Sequence, residues 1–449
     1  PPPHLKHDSA SAAAAPAIPP DIEQRLGQLT LSDIVDLALR NNPATHISWE
    51  NARSAAAAYG ADRGTYLPTI DATVTGTRIK TVATQGRAAV QQSIFEPSLT
   101  ISYLLFDFGG RSSSVEAAKQ ALYAADWTHN QTIADVVLQT ESAYFNYMAA
   151  KALLAAQTTT LKEAEANLAA AQERHRVGLA TVADELQAKT AVSQAQLDLE
   201  TTEGTLATTR GALAVSMGLP ANVPDDLEPP SMPNMVPQMS DSVDVLIAQA
   251  MRERPDLAAA EADYQQARAD VGVAHAARLP SLSLTGNGGR TEAKALPSGA
   301  NSYTLSIGLS IPIFDGFTRE YNQLAAEAVA KAASARLDQT RQQVIFEVFA
   351  SYQTLQTAAK RVSTAGDLLA SAQASTDVAL GRYKAGVGSV LDLLTAQSAL
   401  ASARAQQVQA RWTWETALSQ LAHDAGLLDV HGGNPLHLVP DTTKSSPPR

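Results

Sequence analysis

The chain has 449 residues, no cysteine, 34 lysines and arginines against 45 aspartates and glutamates, and a formal charge of −11. Phosphate binding needs concentrated basic residues, so this acidic balance argues against a nucleic-acid partner. The missing thiols exclude disulfides, thiolate metal ligands and cysteine catalysis, and no run of about 18 apolar residues is present to form a helical membrane span.

In chain order, residues 1–30, with the stretch SAAAAPAIPP, read as a flexible N-terminal segment. The first residue is Pro1 rather than methionine, so a processed start is expected, with no signal peptide left to read. His4 and His7 lie in this segment without a supporting ligand cluster. From residue 31 the chain says most things twice. Asp107 and Asp315 stand 208 residues apart, as do Arg111 and Arg319, Tyr144 and Tyr352, Gly178 and Gly386, and Asp184 and Asp392. Nearer the start of each copy the separation is 212, joining Pro43 to Pro255 and Pro68 to Pro280. Length is therefore free to vary between Pro68 and Asp107. This predicts two tandem structural repeats, residues 31–217 and 240–427, joined by a proline-rich segment at 218–239 and followed by a C-terminal tail at 428–449.

Each copy reads as a helix, two strands, a very long helix and a returning helix. Pro68 and Pro280 stop the ascending helices ahead of the strands. Alternation predicts strands at about 69–77, 98–106, 281–288 and 303–313. In YTLSIGLSIPIF, Tyr303, Leu305, Ile307, Leu309, Ile311 and Ile313 share one face, and Thr304, Ser306, Gly308 and Ser310 the other. From about Arg111 to Arg176, and again from about Arg319 to Gly381, good helix formers dominate. Each stretch makes a helix of roughly 65 residues, on the order of 95 Å long. Val182–Met217 and Val390–Ala425 fold back as antiparallel partners. Alternation alone fits a half-buried antiparallel sheet equally well. With two such helices attached, a membrane barrel is the preferred reading. Four open strands cannot enter lipid with unsatisfied edge amides, so several chains must complete one barrel.

Two junctions and two turns are the candidate sites. YLLFDFGGR and SIPIFDGFTR fall where a strand hands over to a long helix. There Asp107 and Asp315 accept backbone N–H groups at the helix start. Gly109, Gly110 and Gly316 relax the chain, and Phe106 and Phe314 anchor it at an apolar boundary. These are structural roles, not catalytic ones. In the turns RVGLAT and KAGVGS, Gly178 and Gly386 serve as helix C-caps, and Thr181 and Ser389 as N-caps of the returning helices. No nucleophile elbow, P-loop or dinucleotide motif appears. No enzyme activity or cofactor is expected, and His431 and His437 in the tail lack a defined partner.

The motifs LSDIVDLALRNNP, YLPTIDATVTG, YLLFDFGGR, SLSIPIFDGFTRE, RHRVGLATVADEL and RYKAGVGSVLDLLTAQSAL together resemble the TolC-like family of outer-membrane efflux proteins, from about Leu31 to Leu427. The resemblance implies a mixed α/β membrane protein: a homotrimer whose four strands per chain make one twelve-stranded outer-membrane barrel, continued by a long α-helical barrel in the periplasm. It implies a passive channel of a tripartite export system, fed by an inner-membrane transporter through a periplasmic adaptor, with small-molecule or multidrug efflux as the expected use. It also gives the turns a second role as adaptor-contact tips, carried by Arg174, Val177, Gly178, Leu179 and Thr181 and by Arg382, Ala385, Gly386, Val387 and Ser389. Asp184, Tyr383 and Asp392 match the family's periplasmic gate positions. Some members carry an arginine where this chain has Gly388, so their gate bonds do not transfer. The alternative of a different class is a periplasmic scaffold or adhesin with a helical stalk.

Overall fold

The computed structural model describes residues 29–80, 91–222, 238–239, 242–293, 299–428 and 438–439. Residues 1–28, most of the 218–239 segment and most of the tail, with His4, His7, His431 and His437, lie outside the described residues.

The first repeat holds α1 (Leu31–Asn41), α2 (Pro43–Gly64), β1 (Thr69–Lys80), β2 (Gln91–Phe106), α3 (Gly110–Arg176) and α4 (Val182–Ser216). After the short strand β3 (Gln238–Met239), the second holds α5 (Val243–Glu253), α6 (Pro255–Ala276), β4 (Ser281–Ala293), β5 (Ala300–Ser310), α7 (Thr318–Lys384) and α8 (Val390–Asp424). β6 (Leu438–Val439) pairs with β3. The long and returning helices fall within a few residues of their expected positions. The ascending helix of each repeat, expected as one, is two. Pro43 and Pro255 open α2 and α6, where a missing N–H costs nothing. Each also pushes the residue before it out of the helix: Asn42 and Arg254 are extended, with ψ of 125° at both. Those helices end four residues ahead of Pro68 and Pro280, and each of these prolines directly precedes a strand.

Four strands form one antiparallel sheet in the order β1-β2-β4-β5, with one hairpin from each repeat. Both hairpins keep one register: Ile70 faces Ile101, and Leu282 faces Leu309. Ten residues separate β1 from β2 and six separate β4 from β5, which places the four-residue length change in the hairpin loop. β1 and β4 run beyond their expected ends. β5 stops at Ser310 rather than 313, because Pro312 has no N–H to give the ladder.

The chain forms two compact units, and they do not follow the repeats. One contains the residues up to Ser48, His129–Pro255 and those from Arg341 on; the other contains Trp49–Thr128 and Asp256–Thr340. Each repeat contributes to both. In the first unit, Ile34, Tyr147, Met148, Leu213 and Met217 make one apolar cluster, and Leu246, Val344, Val348 and Leu421 make another. The second unit carries the sheet, whose strand β5 is exposed along its whole length. Among the described residues, no helix is long and apolar enough to cross a membrane.

Candidate functional site

The register sorts the sheet into two chemically distinct faces. One row across all four strands reads Ile70, Ile101, Gly286, Leu305, and the next on that face reads Ala72, Leu99, Gly288, Tyr303. The opposite face reads Asp71, Thr100, Asn287, Thr304 in one row and Thr69, Ser102, Thr285, Ser306 in another. Asn287 Nδ2 donates to Thr100 Oγ1 at 2.9 Å, so the polar side chains bond one another. The sheet has no buried face in the single chain: Leu305, Ile307, Leu309 and Val74 are all exposed. Its outer strands β1 and β5 present unpaired edges.

At the first junction Asp107 Oδ2 accepts the backbone N–H of Arg111, which closes the start of α3. At the second, Asp315 Oδ2 accepts from Arg319 N at 3.3 Å. Phe106 stacks edge-on against Phe108, with ring centroids 4.7 Å apart, and Phe314 likewise against Phe317 at 5.5 Å. Phe108 and Phe317 were not legible as special. Both have positive φ, 53° and 66°, each beside a positive-φ glycine, Gly109 or Gly316. The two junctions thus make the same pair of left-handed residues with phenylalanine and glycine in opposite order. The exchange FDFGG against FDGFT was the available signal. A non-glycine residue held there costs about 1–3 kcal/mol.

The two helical turns are near-copies. Leu179 N donates to Arg174 O at 2.7 Å and Gly178 N to His175 O at 2.9 Å; in the second turn Val387 N and Gly386 N donate to Arg382 O and Tyr383 O. This is the Schellman arrangement, and Gly178 and Gly386 supply its left-handed residue with φ of 77° and 75°. Asp184 Oδ2 accepts from Thr181 N at 2.8 Å, and Asp184 N donates to Thr181 Oγ1 at 3.2 Å; Asp392 and Ser389 repeat the box. Both aspartates therefore hold a helix start, whatever else they do. Val177, Leu179 and Val387 are exposed at the tips, as are Arg382 and Ala385. A Cβ on Gly388 would lie 3.0 Å from Arg382 Cβ, so this turn has no room for a larger side chain without moving.

Tyr383 does not stand free beside Asp392. It is 8% exposed, packed with Val390 and Leu393. The Arg174 guanidinium lies over its ring at 4.5 Å, and Arg174 Nη1 donates to its carbonyl at 2.8 Å. The two tips of one chain are thereby tied together. Only the fold reveals this link, since the residues are 209 apart in sequence.

A charged cluster where α8 ends was also not legible. His423 bonds Asp135 through Nε2 at 2.9 Å and Asp424 through Nδ1 at 3.1 Å. Burial pulls its pKa down, but the two carboxylates outweigh it and raise the imidazole to about 9. The hydrogen bond from His423 holds Asp135 below the usual carboxylate range. Nearby, Arg254 Nη1 donates to Glu347 Oε2 at 2.6 Å and to Asp424 O at 3.4 Å. Among the described residues, no group of three or more histidines, aspartates or glutamates is arranged to hold a metal ion.

An antiparallel sheet with an apolar and a polar face, in a chain of paired long helices, fits the architecture of an outer-membrane channel protein. The chain belongs to the outer membrane efflux protein family, whose sequence profile matches residues 34–219 and 246–427. It is 29% identical to Protein CyaE of Bordetella pertussis, over 97% of this chain and 92% of that one. It is 26% identical to the antibiotic efflux pump outer membrane protein ArpC of Pseudomonas putida, over 90% of this chain and 83% of the relative. A solved membrane protein from Pseudomonas aeruginosa superposes with a TM-score of 0.80 at 26% identity, covering 88% of this chain and 93% of that one. The protein is thus an outer-membrane conduit of tripartite export, with its helical portion in the periplasm, and not an enzyme.

Proposed function

We propose that three copies close their sheets into one twelve-stranded barrel, apolar face to lipid and polar face to a water-filled lumen. The observation that carries this is the pair of unpaired edges on a sheet that already separates its two chemistries. The internal repeat supplies the missing contact. β2 pairs with β4 inside the chain, and repetition carries that pairing to β5 against β1 of another copy. Ile101 faces Gly286 in the chain, so Leu309 faces Val74 of the next copy, both on the apolar side. α7 carries exposed Tyr321 where α3 has Ser113, and α2 has Gly60 where α6 has Gly272; Ser113 and Gly272 touch within the chain. A glycine of the ascending helix thus meets a serine at the internal contact and a tyrosine at the proposed external one.

The tips at Gly178 and Gly386 receive a periplasmic adaptor through their exposed apolar residues and basic last turns. An inner-membrane transporter supplies the energy. Asp184 and Asp392, with Tyr383 behind them, line an acidic entrance. The efflux role named for the Pseudomonas putida relative supports small molecules as the exported class. The chain has no cysteine, so a Leu309→Cys, Val74→Cys variant carries its only two thiols at the proposed seam. Oxidation should yield covalent three-chain species in membranes. Single-cysteine labelling should then place Leu305, Ile307 and Leu309 against lipid and Thr304, Ser306 and Gly308 against water. Monomers after oxidation, with equal aqueous labelling of both faces, would sink the barrel.

A further inference from the structure

We propose that the cavity beneath the first strand-to-helix junction binds the headgroup of a zwitterionic, phosphoethanolamine-bearing glycerophospholipid, with Arg111 as the phosphate-binding cation. The proposal rests on the reading that the apolar face of the sheet meets lipid.

A cavity of about 480 Å³ lies here, lined by Thr65, Asp107, Arg111, Ser114, Ala277 and Ser281 among others. The Arg111 guanidinium stands 4.7 Å from the Tyr66 ring and 5.9 Å from that of Tyr103. Tyr103 shares the apolar face, since it pairs with Leu284 and Leu284 with Ile307. Arg111 therefore sits at the rim of that face. Tyr66, Leu67, Phe106 and Phe108 of this junction are exposed, and tyrosine is a residue type that collects at the level of lipid headgroups.

Arg111 makes no ion pair among the described residues. Its Nη1 donates to the carbonyls of Leu104 at 2.8 Å and Thr65 at 3.2 Å, and its buried Nε has no protein partner. Among the described residues no carboxylate comes within ion-pair distance of its guanidinium. A cation beside a bilayer needs an anion or water to face. The second junction shows that the fold does not impose this condition. There Arg319 pairs with Asp315 at 3.2 Å, and Arg278, which stands where Tyr66 stands, pairs with Glu320 at 3.2 Å. Both arginines of the second junction are neutralised within the protein, and Arg111 of the first is not, among the described residues.

A phosphodiester supplies the absent charge, and the Ser114 hydroxyl offers it a second donor. Asp107 lines the same cavity and is a carboxylate, so a dianionic phosphate monoester is repelled. The ammonium of a phosphoethanolamine headgroup answers that carboxylate. One cation and one anion in the protein thus match one anion and one cation in the ligand.

The test uses the whole chain purified in mild detergent, with native mass spectrometry reading lipid retention. Phosphatidylethanolamine, phosphatidylglycerol and inorganic phosphate are added in separate arms. Phosphatidylethanolamine should be retained best, and millimolar inorganic phosphate should not displace it. Arg111→Gln should lower retention about tenfold or more, the scale of a lost charge-assisted hydrogen bond. Ser114→Leu fills the cavity while leaving Arg111 and its carbonyl contacts in place, and should do the same. Arg319→Gln should change nothing. Equal retention in Arg111→Gln and Ser114→Leu overturns the site, as does displacement by inorganic phosphate. A chain that enters liposomes yet holds lipid without regard to Arg111 overturns this site alone. A chain that never enters them overturns the lipid-facing reading and the site with it.

Discussion

The bend between α1 and α2 and the bend between α5 and α6 have the same backbone and different chemistry. At the first, Asn42 Nδ2 donates to Ser216 O at 3.3 Å. At the second, Arg254 reaches the equivalent carbonyl, that of Asp424, and also grips Glu347; the first repeat has Gln139 in that place. A neutral clasp in one copy is an ionic clasp in the other. The tips diverge in the same way. His175 bonds Glu185 at 2.8 Å in the first, whereas Tyr383 packs on Leu393 in the second. Repetition has kept what the backbone needs at each bend and turn, and has released the side chains around it.

The largest effect should come from breaking the ionic clasp. Arg254 is 6% exposed, and removing one partner of a buried pair costs about 3–5 kcal/mol. Arg254→Met should fall near the lower end, because Glu347 is about a third exposed. Asn42→Ala, at the neutral clasp, should cost about 1 kcal/mol. Chemical denaturation of the two variants compares the clasps directly, and equal losses would remove the distinction.

The next pair contrasts an internal helix contact with the proposed external one. A Cβ on Gly272 would lie 2.5 Å from Ser113 Oγ, so Gly272→Leu should destabilise the chain by about 1–3 kcal/mol. Gly60 has nothing within 4 Å of such a Cβ in the single chain. Gly60→Leu should therefore leave the monomer's helicity intact and weaken three-chain assembly, read by native mass spectrometry. Normal assembly of Gly60→Leu would show that no neighbour packs there.

His423 has no counterpart in the first repeat, where Val215 stands. Its folded pKa of about 9 lies above its unfolded value of 6.5. Its stabilisation is therefore complete below about pH 6.5 and lost as pH rises through about 9. The contribution is on the order of 2 kcal/mol, discounted because Asp135 is largely exposed. Thermal melts from pH 6 to pH 10 should show this loss in the native chain, and a flatter profile in His423→Gln. Parallel profiles would mean that the imidazole is not charged in the folded protein.

The smallest differences should be at the tips. Asp184→Asn and Asp392→Asn each weaken one capping box by about 1 kcal/mol or less. Hydrogen exchange should report faster opening of the first turns of α4 and α8 in the matching variant. A change in cation preference of the conducting channel, beyond that opening, would mark the acidic entrance; unchanged selectivity would leave the aspartates as caps alone.

Much of the fold was legible because it depends on local chemistry. The caps Thr181 and Ser389 sit where a helix must start, and the Gly178 and Gly386 turns where one must end. The strand faces follow from two-residue alternation, and the likeness of the two hairpins from the repeat. The split ascending helices were signalled by Pro43 and Pro255 and still read as single elements, because alanine-rich, helix-favouring sequence follows each proline. The link from Arg174 to Tyr383 and the His423 cluster were not legible, because each joins residues more than 200 apart.

The sequence by itself determined that there are two copies, where the long and returning helices lie to within a few residues, and which face of the sheet is apolar, since these are set by residues within a few positions of one another. Only the tertiary structure decided which charges meet. Asp107 and Asp315 look alike in their motifs, as do Arg111 and Arg319. Yet Arg319 pairs with Asp315, four residues before it, while Arg111 stacks on Tyr66, because the segment ahead of the first strand brings a tyrosine to one junction and Arg278 to the other. Aspartate and arginine have the same four-residue spacing at both junctions, so spacing along the chain does not decide whether the pair closes; the neighbour across the fold does.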